Sequence, residues 1–327
     1  MRYLLLRVHV LVVALLAGCT SHTSGTPGTP APADLSRFEY AQVHMGVKVR
    51  LVLYAASQSA ADAAAEAAYA RIASLDGILS DWRVDSELNR LCAKAGGGPV
   101  PVSMDLFRVL RRAQTISMQT DGAFDVTVGP LVALWRQARR TGRLPTPQQL
   151  AEARARVGWE KMRLGEAAST VELTVPGMKL DLGGIAKGYV GDCTLAELRQ
   201  RKVTIAMYEA GGDIVVGDAP PGTRGWSIEV PDLPEGTRRF TLVNGAISTS
   251  GDTEQFVELA GQRYSHVVDP RTGLGLTDRW MATVIAPDGM FADALATAAT
   301  VLGPEKTAEL LRICPAGTRA IVRKAPG

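Results

Sequence analysis

Residues 181–192 read DLGGIAKGYVGD, and this short stretch indicates how the chain builds its site. A strand-like apolar pattern leads into it, Gly183 and Gly184 allow a tight turn, and the apolar residues that follow recur with helical spacing. A helix that begins directly after glycines exposes backbone amide donors and the positive end of its dipole. Lys187 adds a positive charge, so the stretch predicts an anion site. The alternative is that the glycine pair only lets the strand pack against its helix.

Asp181 favours the anion site over the interpretation that the glycine pair serves only packing. A carboxylate beside a phosphate site is favourable only when a cation, or a ribose or ring donor, lies between them. The stretch therefore predicts an anion site with a cation or a polar ligand group next to Asp181.

The hydropathy pattern on either side of this stretch predicts an α+β protein. Thr146 and Gln149 have the spacing of a capping box, which marks a helix start. The predicted helices are 57–82, 103–120, 130–140, 146–158, 185–200, 292–302 and 305–313. The predicted strands are 47–55, 178–182, 203–210, 226–232, 238–249, 263–270 and 280–287. Helices and mainly hairpin-connected strands in separate runs favour the α+β class over a doubly wound sheet.

The N-terminus has the form of a lipoprotein signal. Two arginines precede the apolar run VLVVALLAG, which stops at Cys19 and is short for a membrane span. We interpret 1–18 as a signal peptide, 19–37 as a flexible tether after a lipidated Cys19, and 38–327 as the folded domain. Diacylation would anchor the protein at the periplasmic, extracytoplasmic face of a cell membrane. A plain secretory signal or a short anchor helix is the alternative.

Charge and cysteine content exclude several classes of protein. The formal net charge is +3, and it falls to +1 without 1–18, which contains two arginines and no acidic residue. A nucleic-acid binder would carry a stronger basic bias. Cys92, Cys193 and Cys314 form an odd, widely spaced set after Cys19, which predicts neither a disulfide framework nor a zinc site.

The segment FADALATAATVLG, residues 291–303, carries a second candidate site. Asp293 and Thr297 are four residues apart on a predicted helix, so their oxygens face the same way. A carboxylate with a hydroxyl suits Mg²⁺, which uses few protein ligands and takes phosphate oxygens for the rest. The structural alternative is that Asp293 caps the helix and Thr297 bonds back to a carbonyl.

The segment RYSHVVDPRTG, residues 263–273, places His266 on a predicted strand just before a turn. A histidine there would serve as a general base near neutral pH, although lone histidines are more often structural. The segments TDGAFDVTVGPL, YEAGGDI and STSGD add further carboxylates or hydroxyls, each a weak indication alone.

Taken together, these motifs resemble the FAD:protein FMN transferase family, also called ApbE. The resemblance covers residues 45 to about 312, and DLGGIAKGY together with HVVDPRTG is its most specific part. The motifs, in chain order, are MGVKVRL, DSELNRL, TDGAFDVTVGPLVALW, VGWEKMRL, DLGGIAKGYVGD, EAGGDI, ISTSGDTEQF, SHVVDPRTG and DALATAATVLG. The resemblance implies an enzyme that cleaves the diphosphate of FAD, transfers FMN to a threonine or serine hydroxyl of a partner protein, releases AMP and uses Mg²⁺.

The resemblance also implies a set of site residues. The implied metal ligands are the Asp293 and Thr297 side chains and the backbone carbonyls of Gly184 and Ala296. Ala296 stands where some members have a second aspartate. The implied FAD contacts are Met45, Trp82, Ala123, Phe124, Asp125, Asp181, Lys187 and Val268, with Trp82 in place of the usual tyrosine or phenylalanine. The implied catalytic residues are His266, as candidate base, and Asp181.

The fold implied by the resemblance is a single α+β catalytic domain of two pseudo-equivalent halves, with mixed or antiparallel sheets, flanking helices and FAD in the cleft between the halves. The implied acceptor protein belongs to a membrane redox complex. Two other functions stay open at this point: a Mg²⁺-dependent FAD diphosphatase that yields free FMN and AMP, and a lipid-anchored flavin-binding protein without turnover.

Overall fold

A computed structural model of the 327-residue chain describes residues 35–231, 233–251, 256–259 and 261–325. The predicted signal peptide, Cys19 and most of the predicted tether lie outside the described residues. None of the described helices combines the length and the apolar character that crossing a bilayer requires.

The described residues form helices and antiparallel strands, which confirms the predicted α+β class. Their α-helices are α1 (Gln58–Leu79), α2 (Glu87–Cys92), α3 (Met104–Gln119), α4 (Gly129–Thr141), α5 (Pro147–Arg154), α6 (Ala186–Gln200) and α7 (Gly289–Leu310). Their strands are β1 (Ser36–His44), β2 (Val47–Ala55), β3 (Val100–Pro101), β4 (Met162–Gly165), β5 (Thr170–Leu173), β6 (Ala206–Ala210), β7 (Asp213–Val216), β8 (Trp226–Glu229), β9 (Arg239–Leu242), β10 (Gly245–Ser250), β11 (Phe256–Leu259), β12 (Gln262–Ser265), β13 (Trp280–Ala286) and β14 (Arg319–Lys324).

A seven-stranded sheet of order β1-β2-β6-β7-β10-β13-β14 forms the centre of the described fold. All its neighbouring strands are antiparallel, for example β2 and β6, where Leu51 lies opposite Tyr208. The remaining strands form a β3-β5-β4 sheet and the hairpins β8-β9 and β11-β12. Along the chain, β8-β9 is inserted between β7 and β10, and β11-β12 between β10 and β13.

Strand periodicity explains why the large sheet has an apolar core on each face. Leu51 and Leu53 of β2 pack in the core with α1, α6 and α7, whereas Val52 points to the other face. There it packs with Trp226 and Ile228 of the β8-β9 hairpin. Burial of each such side chain contributes about 1.5–3 kcal/mol to the free energy of folding, which fixes the register of the sheet.

Helix caps set several of the helix starts that the sequence predicts. The Ser57 hydroxyl accepts a hydrogen bond from the Ala60 amide at the start of α1. The predicted capping box of Thr146 and Gln149 is present at the start of α5. Such caps satisfy amides that have no partner within the helix, so the local sequence suffices to predict them.

The crossing of α6 and α7 positions the site. A Cβ atom added to Gly188 would lie 2.0 Å from the carbonyl oxygen of Gly289, so only glycine permits this close approach. The Asp192 carboxylate of α6 accepts hydrogen bonds from the amides of Gly289 and Met290, at 2.7 and 2.9 Å. The beginnings of the two helices are therefore held against each other.

The predicted strand 178–182 is wrong. Lys179 makes only an isolated parallel bridge with Val128. The Asp181 amide donates to the Val126 carbonyl oxygen at 2.8 Å, so this segment lies alongside the turn before α4. Tertiary contacts with that turn replace the sheet partner that its apolar pattern suggested.

Two other boundaries also differ from prediction. The predicted break between helices 292–302 and 305–313 is confirmed, because α7 consists of two helical segments that meet at Gly303, whose φ of +73° and ψ of −179° are not helical, before Pro304. α7 begins earlier than predicted because Asp288 caps it and accepts from the Phe291 amide. The predicted strand 238–249 is two strands, β9 and β10, which are separated where Asn244 adopts a φ of 48°.

Candidate active site

A cavity of about 400 Å³ lies beside the beginnings of α6 and α7. This volume is within the range of small-molecule sites. The structure brings all the predicted FAD contacts to its wall, which is lined by Met45, Trp82, Ala123, Phe124, Asp125, Asp181, Lys187 and Val268. His266, Gly184, Asp293 and Thr297 also line it. Ala296 does not line the cavity, and its carbonyl oxygen accepts from the Thr300 hydroxyl at 2.9 Å.

The glycine turn forms one wall of the cavity. Ile185 occupies the N-cap position of α6 and provides no side-chain cap, so its apolar side chain leaves the first amides of the helix to other acceptors. A Cβ atom on Gly184 would lie 2.7 Å from Thr297 Oγ1. Glycine at this position therefore lets the turn contact the hydroxyl of α7, a role that goes beyond packing of the turn on its own helix.

Asp293 faces the same turn from α7. Its Oδ2 accepts from the Gly188 amide at 3.1 Å and lies 3.8 Å from Lys187 Nζ. Burial, followed by the nearby Asp213 carboxylate, raises the pKa of Asp293 to about 7, although Lys187 opposes the shift. The α7 cap is Asp288, so the interpretation of Asp293 as a helix cap is wrong.

Lys187 lies between two buried carboxylates. Its Nζ is 3.0 Å from Asp213 Oδ2 and donates to the Gly183 carbonyl oxygen at 3.0 Å. Burial lowers the pKa of Lys187, but the carboxylates of Asp213 and Asp293 outweigh burial and raise it overall. The lysine is thus a fixed positive charge at the turn. Ser248 of β10 donates a hydrogen bond to Asp213 Oδ1, which holds the carboxylate in place.

Asp213 is a site residue that the sequence analysis did not assign. Its segment YEAGGDI gave only a weak signal, because nothing local showed that a lysine 26 positions earlier in the chain would meet it. The sequence feature that could have identified Asp213 is its position directly after a glycine pair, at the start of β7.

Asp125 is tied into its own loop. Its Oδ1 accepts from the amide and the hydroxyl of Thr127, at 2.8 and 2.7 Å. Burial raises the pKa of Asp125 to about 6, and the Thr127 hydrogen bonds oppose the shift. The Thr127 hydroxyl also accepts from the Gly158 amide at 2.8 Å. This network fixes the loop that carries Ala123 and Phe124 on the cavity wall.

Asp181 has partners on both of its carboxylate oxygens. Oδ1 accepts from the Gly183 amide at 2.9 Å, and Oδ2 accepts from Arg136 at 3.1 Å. Arg136 also pairs with Asp81 at 2.7 Å. A protein cation, Arg136, therefore lies next to Asp181. Sequence reasoning missed Arg136 and Asp81 because no motif links them to Asp181.

His266 lines the cavity directly after β12 ends at Ser265, so the predicted strand 263–270 stops before it. Within the described residues, no group of three or more His, Cys, Asp or Glu side chains is arranged to hold a metal ion.

Comparisons with known proteins cover nearly the whole domain. The pattern that defines the ApbE family matches residues 45–322. A Klebsiella pneumoniae (strain 342) protein named FAD:protein FMN transferase is 31% identical over an alignment of 322 positions that covers 96% of this chain and 91% of that protein. A Treponema pallidum (strain Nichols) protein of the same name is 33% identical over an alignment of 303 positions that covers 86% of this chain and 83% of that protein.

Solved structures agree with the sequence comparison. The apo form of the Pseudomonas stutzeri flavinyl transferase ApbE has a TM-score of 0.78 at 27% identity, over 90% of this chain and 92% of that one. The ApbE protein of Thermotoga maritima has a TM-score of 0.77 at 29% identity, over 89% of this chain and 97% of that one.

Proposed function

Because this chain belongs to the ApbE family, we propose that it is a FAD:protein FMN transferase. One observation carries the proposal beyond family membership. Lys187, Asp293 and Thr297 converge with the glycine turn on one cavity, whose wall also carries every predicted FAD contact. A fixed cation, helix amides and hard oxygen ligands in one place suit a diphosphate ester.

The proposed reaction transfers FMN as an intact phosphate ester. The hydroxyl oxygen of a threonine or serine on the acceptor protein bonds to the phosphorus of the FMN half of FAD. The anhydride P–O bond to that phosphorus breaks, and the AMP half leaves with the bridging oxygen. The hydroxyl proton passes to a base on the enzyme. The products are AMP and an acceptor protein that carries FMN in a phosphoester bond.

We expect Mg²⁺ to bind at the proposed metal ligands. The residues fit it: the Thr297 hydroxyl lies against the Gly184 backbone, where an added Cβ would come within 2.7 Å of it, and the Asp293 carboxylate lines the same cavity. The Gly184 carbonyl and the Ala296 carbonyl, which also accepts from the Thr300 hydroxyl, complete the proposed ligand set. When bound, Mg²⁺ supplies positive charge that offsets the diphosphate.

The protein's own residues have distinct proposed roles. Lys187 binds and orients the diphosphate, because its ammonium group is held at the glycine turn by the Gly183 carbonyl oxygen. His266 accepts the acceptor's hydroxyl proton on a ring nitrogen. Asp181 holds the glycine turn, since both of its oxygens are engaged by Gly183 and Arg136.

The proposal extends to the location of the enzyme and to its partner. We expect Cys19 to carry lipid and to hold the domain at the periplasmic face of a membrane, with an acceptor in a membrane redox complex. The support is the sequence pattern that ends at Cys19. Replacement of Cys19 by alanine is expected to move the protein from the membrane fraction to the soluble fraction.

The deciding experiment combines the purified protein with FAD, Mg²⁺ and the unmodified form of an acceptor protein that carries FMN on a threonine in its native state. We expect the acceptor to gain the mass of one FMN while AMP appears in equal amount. An acceptor with valine at that threonine is the control. Free FMN with no modified acceptor would establish the diphosphatase instead. Bound but uncleaved FAD would establish a flavin-binding protein.

A further inference from the structure

Arg136 of α4 contacts three residues of the cavity wall without lining the cavity itself. Its two terminal nitrogens reach different carboxylates, Asp81 at 2.7 Å and Asp181 at 3.1 Å. Its guanidinium carbon also lies 4.2 Å from the ring centroid of Trp82. A planar, always-charged fork is the side chain best suited to join two carboxylates and to stack on a ring at the same time.

The Trp82 ring is an exposed platform at this cavity. The residue is 75% exposed although one ring face lies against Arg136. A tryptophan that is covered by arginine on one face and lines a cavity presents its remaining surface to a ligand. Aromatic surfaces of this kind bind planar heteroaromatic rings by offset stacking.

Arg136 offsets the negative charge of two carboxylates that are partly buried beside each other. The Asp81 and Asp181 side chains are only 16% and 13% exposed, and both line the cavity. Burial, followed by the Asp81 carboxylate, raises the pKa of Asp181, whereas Arg136 lowers it. Without the arginine, two partly buried like charges would face each other beside the platform and would move apart or take up a proton.

We infer that Arg136 is a positioning residue for ring binding: it fixes the Trp82 platform from behind and clamps Asp81 and Asp181 so that the platform stands at a set distance from the glycine turn. The inference rests on the proposed function, because the ring would belong to FAD. FAD contains two planar rings, a flavin and an adenine, and the chemistry of the platform accepts either. The experiment therefore tests each half of FAD separately.

The test measures dissociation constants of FAD, FMN and AMP by isothermal titration calorimetry for the wild type and for two variants. Arg136→Gln removes the charge, and Arg136→Lys keeps the charge but loses the planar fork. Arg139→Ala, an exposed arginine on the same helix, is the matched control. We expect both Arg136 variants to raise the dissociation constant of FAD about tenfold, which is about 1.4 kcal/mol of binding free energy. Arg139→Ala should leave it unchanged.

The two half-ligands show which ring is positioned. Weaker binding of FMN with AMP binding unchanged identifies the flavin, and the reverse pattern identifies the adenine; either result supports the inference. Equal weakening of both would mean that Arg136 acts on the diphosphate or on the whole cavity, and this would overturn it. Unchanged affinity in both variants would overturn it as well.

A coupling measurement separates positioning from general stability. If Arg136 acts through the platform, Arg136→Gln should cost much less FAD affinity in a Trp82→Leu background than in the wild type. Additive losses would contradict the inference. Melting temperatures of all variants identify any that fail to fold, in which case Arg136→Lys alone carries the test. A wild type that binds FAD but transfers no FMN contradicts the proposed function and leaves the ring-binding test valid. A wild type that binds none of the three ligands overturns both.

Discussion

At the scale of single residues, the site is built from charged side chains that are partly or fully buried and that pair with one another. Lys187 is shared between Asp213 and Asp293, and Arg136 is shared between Asp81 and Asp181. Each cation thus serves two carboxylates, which leaves an excess of negative charge on the cavity wall. Buried charge without compensation is costly, so a bound cation would be stabilised there.

The first residue-scale prediction concerns Asp293→Asn. The amide keeps the size of the side chain but removes the charge that would bind Mg²⁺. We expect FMN transfer to fall by more than about 100-fold and Mg²⁺ affinity, measured by calorimetry, to fall with it. The melting temperature should change little, since asparagine still accepts from Gly188. Asp85→Asn, at an exposed position, is the control. Full activity of Asp293→Asn at the same Mg²⁺ concentration would remove Asp293 from the ligand set.

The second residue-scale prediction concerns His266→Ala. If His266 accepts the proton of the acceptor hydroxyl, turnover should fall by about 10²- to 10⁴-fold while the dissociation constant of FAD changes little. Single-turnover kinetics with saturating FAD measure the first quantity, and calorimetry measures the second. Loss of FAD binding with normal turnover at saturation would make His266 a contact residue and would exclude it as the base.

At the scale of elements, the crossing of α6 and α7 decides whether the site exists. The two helices carry Lys187 and Asp293 respectively, and the contact of Gly188 with Gly289 sets how closely these side chains approach. Asp192 reinforces the contact by accepting from two amides at the start of α7. The glycines are thus required by the tertiary packing of two helices, each of which would form more readily with alanine.

The element-scale prediction follows from this contact. Gly188→Ala places a methyl group against the Gly289 carbonyl and should destabilise the fold by about 1–3 kcal/mol or more, because the helices must separate. Gly77→Ala is the control: it lies in α1, and an added Cβ there meets nothing within 4 Å. This control should instead stabilise the protein by about 0.5–1 kcal/mol. Urea denaturation measures both changes, and equal effects of the two variants would contradict the proposed packing.

At the scale of the whole molecule, the cavity is assembled from distant parts of the chain. The β1-β2 turn contributes Met45, the loop after α1 contributes Trp82, and the loop after β12 contributes His266. The large sheet and the packed helices hold these loops at one place. Loops on a rigid scaffold are the usual position for binding and catalytic residues. His266, which follows the β11-β12 hairpin, lines the same cavity as the glycine turn.

The whole-molecule prediction concerns pH. Burial raises the pKa of Asp293 and that of Asp192 to about 7, above the value near 3.8 of an unburied aspartate. Between about pH 4 and pH 7 the folded protein then binds more protons than the unfolded chain, so these groups make the free energy of unfolding fall as pH rises. Thermal denaturation of the Mg²⁺-free protein should show a shallower fall over this range in Asp293→Asn than in the wild type.

Mg²⁺ should stabilise the folded protein more as pH rises, because it competes with the proton for the Asp293 carboxylate. We expect added Mg²⁺ to raise the melting temperature of the wild type more at pH 8 than at pH 5, and to do so only weakly in Asp293→Asn. An equal rise at both pH values, or an equal rise in the variant, would place the ion elsewhere.

The sequence by itself determined the parts of the protein that depend on neighbours along the chain. The capping box of Thr146 and Gln149 predicted a helix start, and the spacing of Asp293 and Thr297 placed two oxygens on one helix face. The glycines of the turn at 183–184 indicated the start of α6. These features are local, because a cap or a helical repeat is satisfied by residues within about one turn.

Only the tertiary structure decided which of these features meet. It placed Thr297 against Gly184, paired Lys187 with Asp213, and set Arg136 between two carboxylates. It also replaced the predicted strand 178–182 by contacts with the turn before α4. The physical reason is that such contacts join residues far apart in the chain, and hydrophobic periodicity specifies which face of an element is buried but not which partner covers it.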